Sequence, residues 1–215
     1  MTTNYHQDDE VYKSLKKAKK FETEYNKLVF NSEVESSYLL GNFSVTNAGI
    51  VENLFKGAKR YHGNFVLGNK LTQQTIDAAN LTSNGLLFFS GKLNLTREFN
   101  LTKDEVKAIS KLRFTPKGAN SFLIKLNGKE AGFLFSGHYI VDVKDLLKTG
   151  LNTLEIELTT SLRNTLGPHH LECGESYSVG TLSFNKEPNV LDWPNNPYNE
   201  NYCNIEYGLD DIEFL

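Results

Sequence analysis

The sequence predicts an all-β sandwich. Many short segments alternate apolar and polar residues, and Gly, Pro and Asn turn signals separate them. Alternation with a period of two indicates half-buried strands, because successive side chains of a strand point to opposite faces. Aromatic residues make up 12% of the chain and supply large side chains for a core. We expect one sandwich domain over 21–215, since all-β domains of this size are often single.

Residues 1–20 are predicted to be a polar lead-in or linker. Five lysines lie there, at positions 13, 16, 17, 19 and 20. A solvated helix or linker explains them better than a nucleic-acid tail, because neither interleaved aromatics nor a second basic patch accompanies them. The net charge of −3 also argues against nucleic acid and against an anionic membrane surface as partners, since both select a basic footprint.

The sequence contains no apolar run near the length of a membrane-spanning helix. The first residues lack the basic-then-apolar layout of a signal peptide. We therefore expect either a cytoplasmic protein or a fragment of a larger bacterial protein, secreted or not.

The first half of the chain gives strand predictions that depend on short alternating runs. Thr102 is placed to cap a turn over 102–105, and Ser90-Gly91 marks a bulge in a long strand. The predicted strands cover 21–25, 38–45, 64–67, 86–101 and 106–114.

A β-hairpin is the clearest local prediction. Asn127-Gly128 is a strong hairpin signal, because a type I′ turn requires positive φ at both central residues. The residues expected on the inner face of its two strands are Phe122, Ile124, Leu126, Ala131, Phe133 and Phe135.

Two further strands follow the hairpin. One helical turn over 144–148 separates them, and Gly150 is expected to end this turn as a C′ residue. The inner residues of the two strands are predicted to be Tyr139, Val141, Val143, Leu154, Ile156 and Leu158.

The last part of the chain is predicted to be a long loop over 159–204 and a closing strand over 205–215. Loops of this length are uncommon in compact domains unless they have a function. Cys173 and Cys203 are too few for a disulfide scaffold, so they form either one disulfide or two free thiols.

Several of these segments resemble a known family. The run LNGKEAG…YIVDVKDLLKTGLNTLEIEL over 126–158 resembles the sugar-binding sandwich modules of family 2 glycoside hydrolases, which are galactose-binding-domain-like jelly rolls. Residues 38–43 and 86–91 resemble early strands of such modules. The run RNTLGPHH over 163–170 resembles a signature of predicted glycosidases related to α-L-rhamnosidases. The resemblance covers roughly 21–215.

The resemblance implies a jelly-roll β-sandwich that is a non-catalytic carbohydrate-binding or accessory module of a bacterial glycoside hydrolase. Its partners would be an oligosaccharide or glycan and the catalytic domain of a glycosidase. It implies no cofactor beyond a structural Ca²⁺, whose presence stays open.

The histidine pair in the second half of the chain is the first candidate site. Gly167-Pro168 breaks the strand and presents His169 and His170 at a loop, beside Arg163 and Asn164. These four residues are candidate ligand contacts. With Glu172 or Glu175 the histidines could form a metal site, but adjacent histidines on a strand point apart. A structural role under the loop is the third interpretation.

Three other residues are candidate sugar contacts. Trp193 lies in a Pro- and Asn-rich segment, and an aromatic plane there could stack on a sugar ring or pin the loop to the sandwich. His138 and Tyr139 lie where the resembling modules have an end of the sandwich, although the phase of Tyr139 with Val141 favours a core position.

The sequence shows no catalytic pattern of its own. A glycosidase requires two carboxylates at a set separation, and the acid pairs here fall on strands as outward residues. No nucleophile elbow, P-loop or H-E-x-x-H motif occurs. The alternatives to a sugar-binding module are a structural module that docks on a glycosidase, and a self-sufficient hydrolase that uses the His169–His170 loop.

Overall fold

A computed structural model of the protein describes residues 7–30, 37–69, 76–175 and 198–215. Most of the regular structure in these residues is β. The strands are Ser44–Asn47 (β1), Val51–Asn53 (β2), Ala58–Tyr61 (β3), Phe65–Gly68 (β4), Lys92–Leu101 (β5), Lys111–Lys117 (β6), Ala119–Leu126 (β7), Lys129–Leu134 (β8), Ile140–Asp142 (β9), Gly150–Thr160 (β10), Tyr202–Ile205 (β11) and Gly208–Phe214 (β12). The prediction of an all-β fold is confirmed in this broad form.

The helices are short. They are Asp9–Ala18 (α1), Glu22–Tyr25 (α2), Lys103–Ala108 (α3) and Arg163–Leu166 (α4), with 3₁₀ turns at Thr82–Asn84 and Lys144–Leu146. Within the described ranges, none of the helices has both the length and the apolar character that crossing a membrane requires.

The strands form antiparallel sheets. The largest has the order β5-β10-β7-β8, and a second has the order β12-β6-β9. Two smaller sheets have the strand orders β11-β3-β2 and β1-β4. Their strands come from the first part of the chain, except for β11, which directly precedes β12. The register of β10 on β5 runs without interruption from Gly150 opposite Leu101 to Thr159 opposite Lys92.

The hydrophobic core joins the inner faces of the two larger sheets. Phe114 of β6 and Phe122 of β7 meet across it, with ring centroids 5.1 Å apart. Burying each such side chain stabilises the fold by about 1.5–3 kcal/mol relative to exposure. The buried cluster comprises Leu81, Leu112, Phe114, Phe122, Ile124, Leu126, Val141, Val143, Leu154, Ile156, Leu158, Tyr207 and Leu209.

The predicted hairpin turn is confirmed. Asn127 and Gly128 have φ values of 52° and 77°, as a type I′ turn requires. Asn127 Nδ2 donates to Leu146 O at 2.8 Å and to Asn152 Oδ1 at 2.9 Å. The turn is therefore tied to the start of β10 as well as to its own strands.

The predicted inner face is confirmed for Ala131, which packs against the core, and is wrong for Phe133 and Phe135. The pairing of β7 with β8 shifts between Ile124 and Lys125, so that β8 carries an extra residue near Ala131. This bulge inverts the phase beyond it, and Leu134 packs against the core. Phe133 and Phe135 are instead 57% and 65% exposed.

Two predicted strands are helical in part. The segment predicted as a strand over 21–25 forms α2, in which Asn26 N donates to Glu22 O and Lys27 pairs with Glu24 at 2.8 Å. The predicted cap at Thr102 is confirmed as a capping box with Glu105. This box extends the predicted turn into α3, so the strand expected from residue 106 begins only at Lys111.

Other predicted boundaries also differ. The strand expected over 86–101 begins at Lys92, after Gly91 at φ 142°, and the one expected over 38–45 begins at Ser44. Gly150 has φ 88° but opens β10. It is not a C′ residue, because Leu147 is already extended after the 3₁₀ turn.

Candidate functional site

The segment 163–170 lies between two cavities of the described structure. The short helix α4 ends at Gly167, which has φ 85° and precedes a cis peptide bond to Pro168. Pro168 is fully buried, and His169 and His170 follow it. Arg163, at the start of the segment, lines one of the cavities, and His169 and His170, at its end, line the other.

Asn164 is buried beneath the segment. Its Nδ2 donates to Ile205 O at 2.8 Å, and its Oδ1 accepts from Ile205 N at 2.9 Å. The side chain thus pairs with the backbone of β11 as a neighbouring strand would. The structure places this predicted contact residue as the link between α4 and β11.

Arg163 lines a different cavity from the two histidines. Its Nε donates to Glu175 Oε2 at 2.7 Å, and its terminal nitrogens donate to Gly174 O at 3.3 Å and Cys203 O at 3.4 Å. The side chain is 10% exposed. Arg163 therefore holds the 171–175 turn against β11 and borders a separate, charged cavity.

The two histidines bond to different backbone carbonyls. His169 Nε2 lies 2.9 Å from Asn164 O, and His170 Nδ1 lies 2.9 Å from Asn199 O. Because a carbonyl can only accept, each of these ring nitrogens carries the proton. Burial lowers the pKa of His169 below its ordinary value, so its ring is neutral at pH 7.

The described residues do not bring metal ligands together. None of their His, Cys, Asp and Glu side chains form a group of three or more that could hold a metal ion. His169 and His170 donate in different directions, and Asn199 Nδ2 donates to Glu172 Oε2 at 2.6 Å. The carboxylate considered as a metal ligand is thus engaged by an amide.

Aromatic rings surround the histidines. Tyr202 lies edge-on to Phe88, with ring centroids 5.6 Å apart, and 4.6 Å from His170. His170 also stacks on Tyr198 at 4.8 Å with an interplanar angle of 23°. His169 meets the Phe88 ring edge at 5.7 Å. Such offset and edge-to-face pairs are the arrangements that aromatic quadrupoles favour.

These rings line a groove of about 940 Å³, which we call the aromatic groove. One wall is formed by residues 165–170 with Tyr198 and Tyr202, and the other by residues 37–45 and 85–90. The rim includes Tyr38, Leu39, Leu40 and Leu67, which are 52%, 72%, 82% and 60% exposed. Tyr202 is 36% exposed and presents its ring to the groove.

Two predicted site residues lie away from the aromatic groove. Tyr139 packs on Phe114 and Phe122 at 5.7 and 5.6 Å, which is the core position that its phase predicts. His138 is exposed on the loop before β9, and neither residue lines the aromatic groove. Trp193 lies outside the described residues.

The two cysteines do not form a disulfide with each other. Cys203 is buried in β11, and Cys173 is exposed. Burial raises the pKa of the Cys203 thiol to about 11. Of the two states left open by the sequence, the structure does not have the disulfide.

Sequence reasoning missed the Phe and Tyr rings of the groove, among them those of Phe65, Phe88, Tyr198 and Tyr202. Phe88 and Tyr202 are more than one hundred positions apart in the sequence, so no local pattern links them. The available signal was compositional: Tyr198 and Tyr202 flank a polar Asn-rich run just beyond the tryptophan segment.

No protein-family model and no curated protein matches the chain. Among solved structures, 80% of the chain is similar to 16% of a rhamnosidase from Novosphingobium sp. PP1Y, at 17% identity and a TM-score of 0.36. In a Bifidobacterium dentium beta-glucuronidase, 21% of that protein's chain is similar to 57% of this chain, at 17% identity and a TM-score of 0.34. In a beta-D-glucuronidase of Dictyoglomus thermophilum, 24% of that protein's chain is similar to 67% of this chain, at 15% identity and a TM-score of 0.31.

The chain spans less than a quarter of the length of each of these three proteins. At such TM-scores the likeness decides neither the architecture nor the function of the chain.

Proposed function

We propose that the chain is a non-catalytic carbohydrate-binding module of a bacterial glycoside hydrolase, with a galactose-binding-domain-like jelly-roll fold and a sugar site in the aromatic groove. Two features support this proposal. The segments 126–158 and 163–170 resemble modules of that class. Residues 165–170 of the second segment also form one wall of the groove.

The proposal depends mainly on the ring of Tyr202, which is 36% exposed and lies beside His169 and His170. Sugar rings present apolar C–H faces that pack on aromatic planes, while polar groups at the edge of the plane meet their hydroxyls. His170 Nδ1 is bonded to Asn199 O, so in the neutral ring Nε2 is free to accept a hydroxyl hydrogen. The Tyr202 hydroxyl and Ser90 supply further polar atoms at the groove.

Binding rather than hydrolysis fits the lining of this groove. A glycosidase acts through two carboxylates that flank the scissile bond. Among the described residues that line the groove, none is Asp or Glu. The proposed role is therefore capture of a glycan for a catalytic domain.

A panel of mono- and oligosaccharides, including galactose and rhamnose, tests the proposal by calorimetry with the whole chain. Tyr202→Leu keeps an apolar side chain but removes the ring, and we expect it to weaken binding roughly fivefold, since aromatic stacking contributes about 1 kcal/mol. Phe133→Leu is the matched control, because Phe133 is 57% exposed and outside the groove. Absence of binding at millimolar sugar, or equal loss in both variants, would refute it.

A second candidate function is docking on a glycosidase catalytic domain without independent sugar affinity. The exposed rim of Tyr38, Leu39, Leu40 and Leu67 favours it, because contiguous exposed apolar side chains mark interaction surfaces. Co-purification with a glycosidase that Leu40→Ser abolishes would support docking. A monomer with its own sugar affinity and no such partner would exclude it.

A further inference from the structure

A second, charged cavity lies on the other side of α4. It measures about 550 Å³, and we call it the charged cavity. Gly57, Gly118 and Ile205 supply backbone to its wall. Its charged lining residues are Lys56, Lys117, Arg163, Glu175 and Glu206.

Arg163 is a buried donor at this cavity. Its contacts to Glu175, Gly174 O and Cys203 O engage Nε and one hydrogen on each terminal nitrogen. The guanidinium also bonds to the Cys203 side chain, so one of its five N–H donors is left without a partner among the described residues. The guanidinium is held in place by these contacts and is 10% exposed. It is therefore a preorganised donor.

Lys117 adds a second donor from the end of β6. Its Nζ lies 2.6 Å from Asp210 Oδ2, and the side chain is 38% exposed. That hydrogen bond raises the pKa of the Lys117 ammonium, so the group stays charged. An ammonium has three N–H donors, and Asp210 takes one of them.

Glu206 supplies an acceptor on the same wall. Its Oε1 accepts from Asn80 Nδ2 at 2.8 Å and lies 3.3 Å from Lys59 Nζ. Its Oε2 has no hydrogen-bond partner in the described part of the chain. The carboxylate is fixed through one oxygen and offers the other.

We infer that the charged cavity is a second binding site, which takes a small polyhydroxylated carboxylate. Three cationic and two anionic side chains line it, so a single negative charge on the ligand balances the lining. Fixed donors and a fixed acceptor suit hydroxyl groups, because a hydroxyl both donates and accepts. The ligand's carboxylate would be bound by Lys117 and Arg163, and its hydroxyls by Glu206.

This site is independent of the aromatic groove. The residues that line the two cavities do not overlap, and α4 carries Arg163 toward one and Thr165 and Leu166 toward the other. A ligand in the charged cavity therefore leaves the proposed glycan site untouched, and either site can fail without the other.

Titration of the whole ¹⁵N-labelled chain with gluconate tests the inference, with sorbitol as the neutral analogue and sodium chloride to hold ionic strength constant. We expect saturable millimolar binding of gluconate, with amide shifts at Gly57, Gly118 and Ile205. Sorbitol should bind about tenfold more weakly, because hydrogen bonds to a charged group are worth more than neutral ones.

Lys117→Gln should weaken gluconate binding about tenfold for the same reason. Lys92→Gln is the matched control, since Lys92 is also a strand lysine in an ion pair, 2.7 Å from Glu157, but does not line the cavity. The inference is overturned if gluconate causes no saturable shifts at these amides, if sorbitol binds as well, or if the two lysine variants behave alike.

Discussion

Asn164 and Ile205 exchange two hydrogen bonds, at 2.8 and 2.9 Å, between a helix side chain and a strand backbone. Through this pair, the segment that carries Arg163 on one side and the histidines on the other is fixed to β11. The adjoining Tyr202, which contacts both histidine rings, belongs to the same strand. The attached segment borders both cavities, with Arg163 at one and the histidines at the other.

We expect Asn164→Ala to lower the free energy of unfolding by about 1–3 kcal/mol, because it leaves an N–H and a C=O of the half-buried Ile205 without these partners. Urea unfolding followed by circular dichroism measures the change. Asn94→Ala, at an exposed position of β5, is the control and should cost far less. Equal losses in the two variants would show that Asn164 is not the attachment.

We expect the pH dependence of stability to report His169. Its pKa is lowered in the folded state by burial, from an ordinary value near 6.5. Between the folded and unfolded pKa values the unfolded chain binds more protons, so stability rises with pH in this window. The contribution is fully present above pH 6.5 and is lost as the pH falls from there toward the lowered pKa.

Chemical denaturation at a series of pH values below 7.5 measures this slope. His169→Gln should flatten it, whereas His138→Gln, which replaces an exposed histidine, should keep it because His169 is still present. A slope unchanged in His169→Gln would contradict the assignment.

We expect the two thiols to differ in reactivity. Cys203 is buried, and burial raises its pKa to about 11, so little thiolate forms near neutral pH. Cys173 is exposed. A disulfide-exchange reagent should therefore titrate one thiol in the native protein and two in denaturant, and Cys173→Ser should abolish the native reaction. Two rapidly reacting native thiols would contradict the buried position of Cys203.

We expect Thr102→Ala to destabilise the protein by about 1 kcal/mol, because it removes the N-cap of α3 and its reciprocal contact with Glu105. Thermal unfolding measures the effect. Thr102→Ser keeps the hydroxyl acceptor and should retain most of the stability; if the serine variant is as unstable as the alanine variant, the cap is not the cause.

The sequence was informative where the determinants are local. The Asn127-Gly128 turn, the cap at Thr102 and the alternation of Leu154, Ile156 and Leu158 depend on neighbours within a few positions, and all three are confirmed. The prediction for Phe133 is wrong because a single extra residue in β8 inverts the phase of the strand. Gly132, which follows that residue, is the local signal, since an isolated glycine in a strand often marks a bulge.

The candidate site was only partly predictable for a related reason. Gly-Pro and two histidines mark the run 163–170 as a candidate site, but its two ends line different cavities. That separation depends on the pairing of Asn164 with Ile205 and on the contact of Phe88 with Tyr202, 5.6 Å apart between ring centroids. Both pairs join parts of the chain that are far apart in sequence.

The most direct test of a sugar site in the aromatic groove is an amide chemical-shift titration of the whole chain with the saccharide panel. We expect at least one saccharide to cause saturable shifts that are confined to the groove, at Leu166, His170 and Tyr202. We also expect Tyr202→Leu to weaken the binding of that saccharide and Phe133→Leu to leave it unchanged. Shifts confined to the face of Phe133 and Phe135, or no saturable shifts with any saccharide at millimolar concentration, would contradict it.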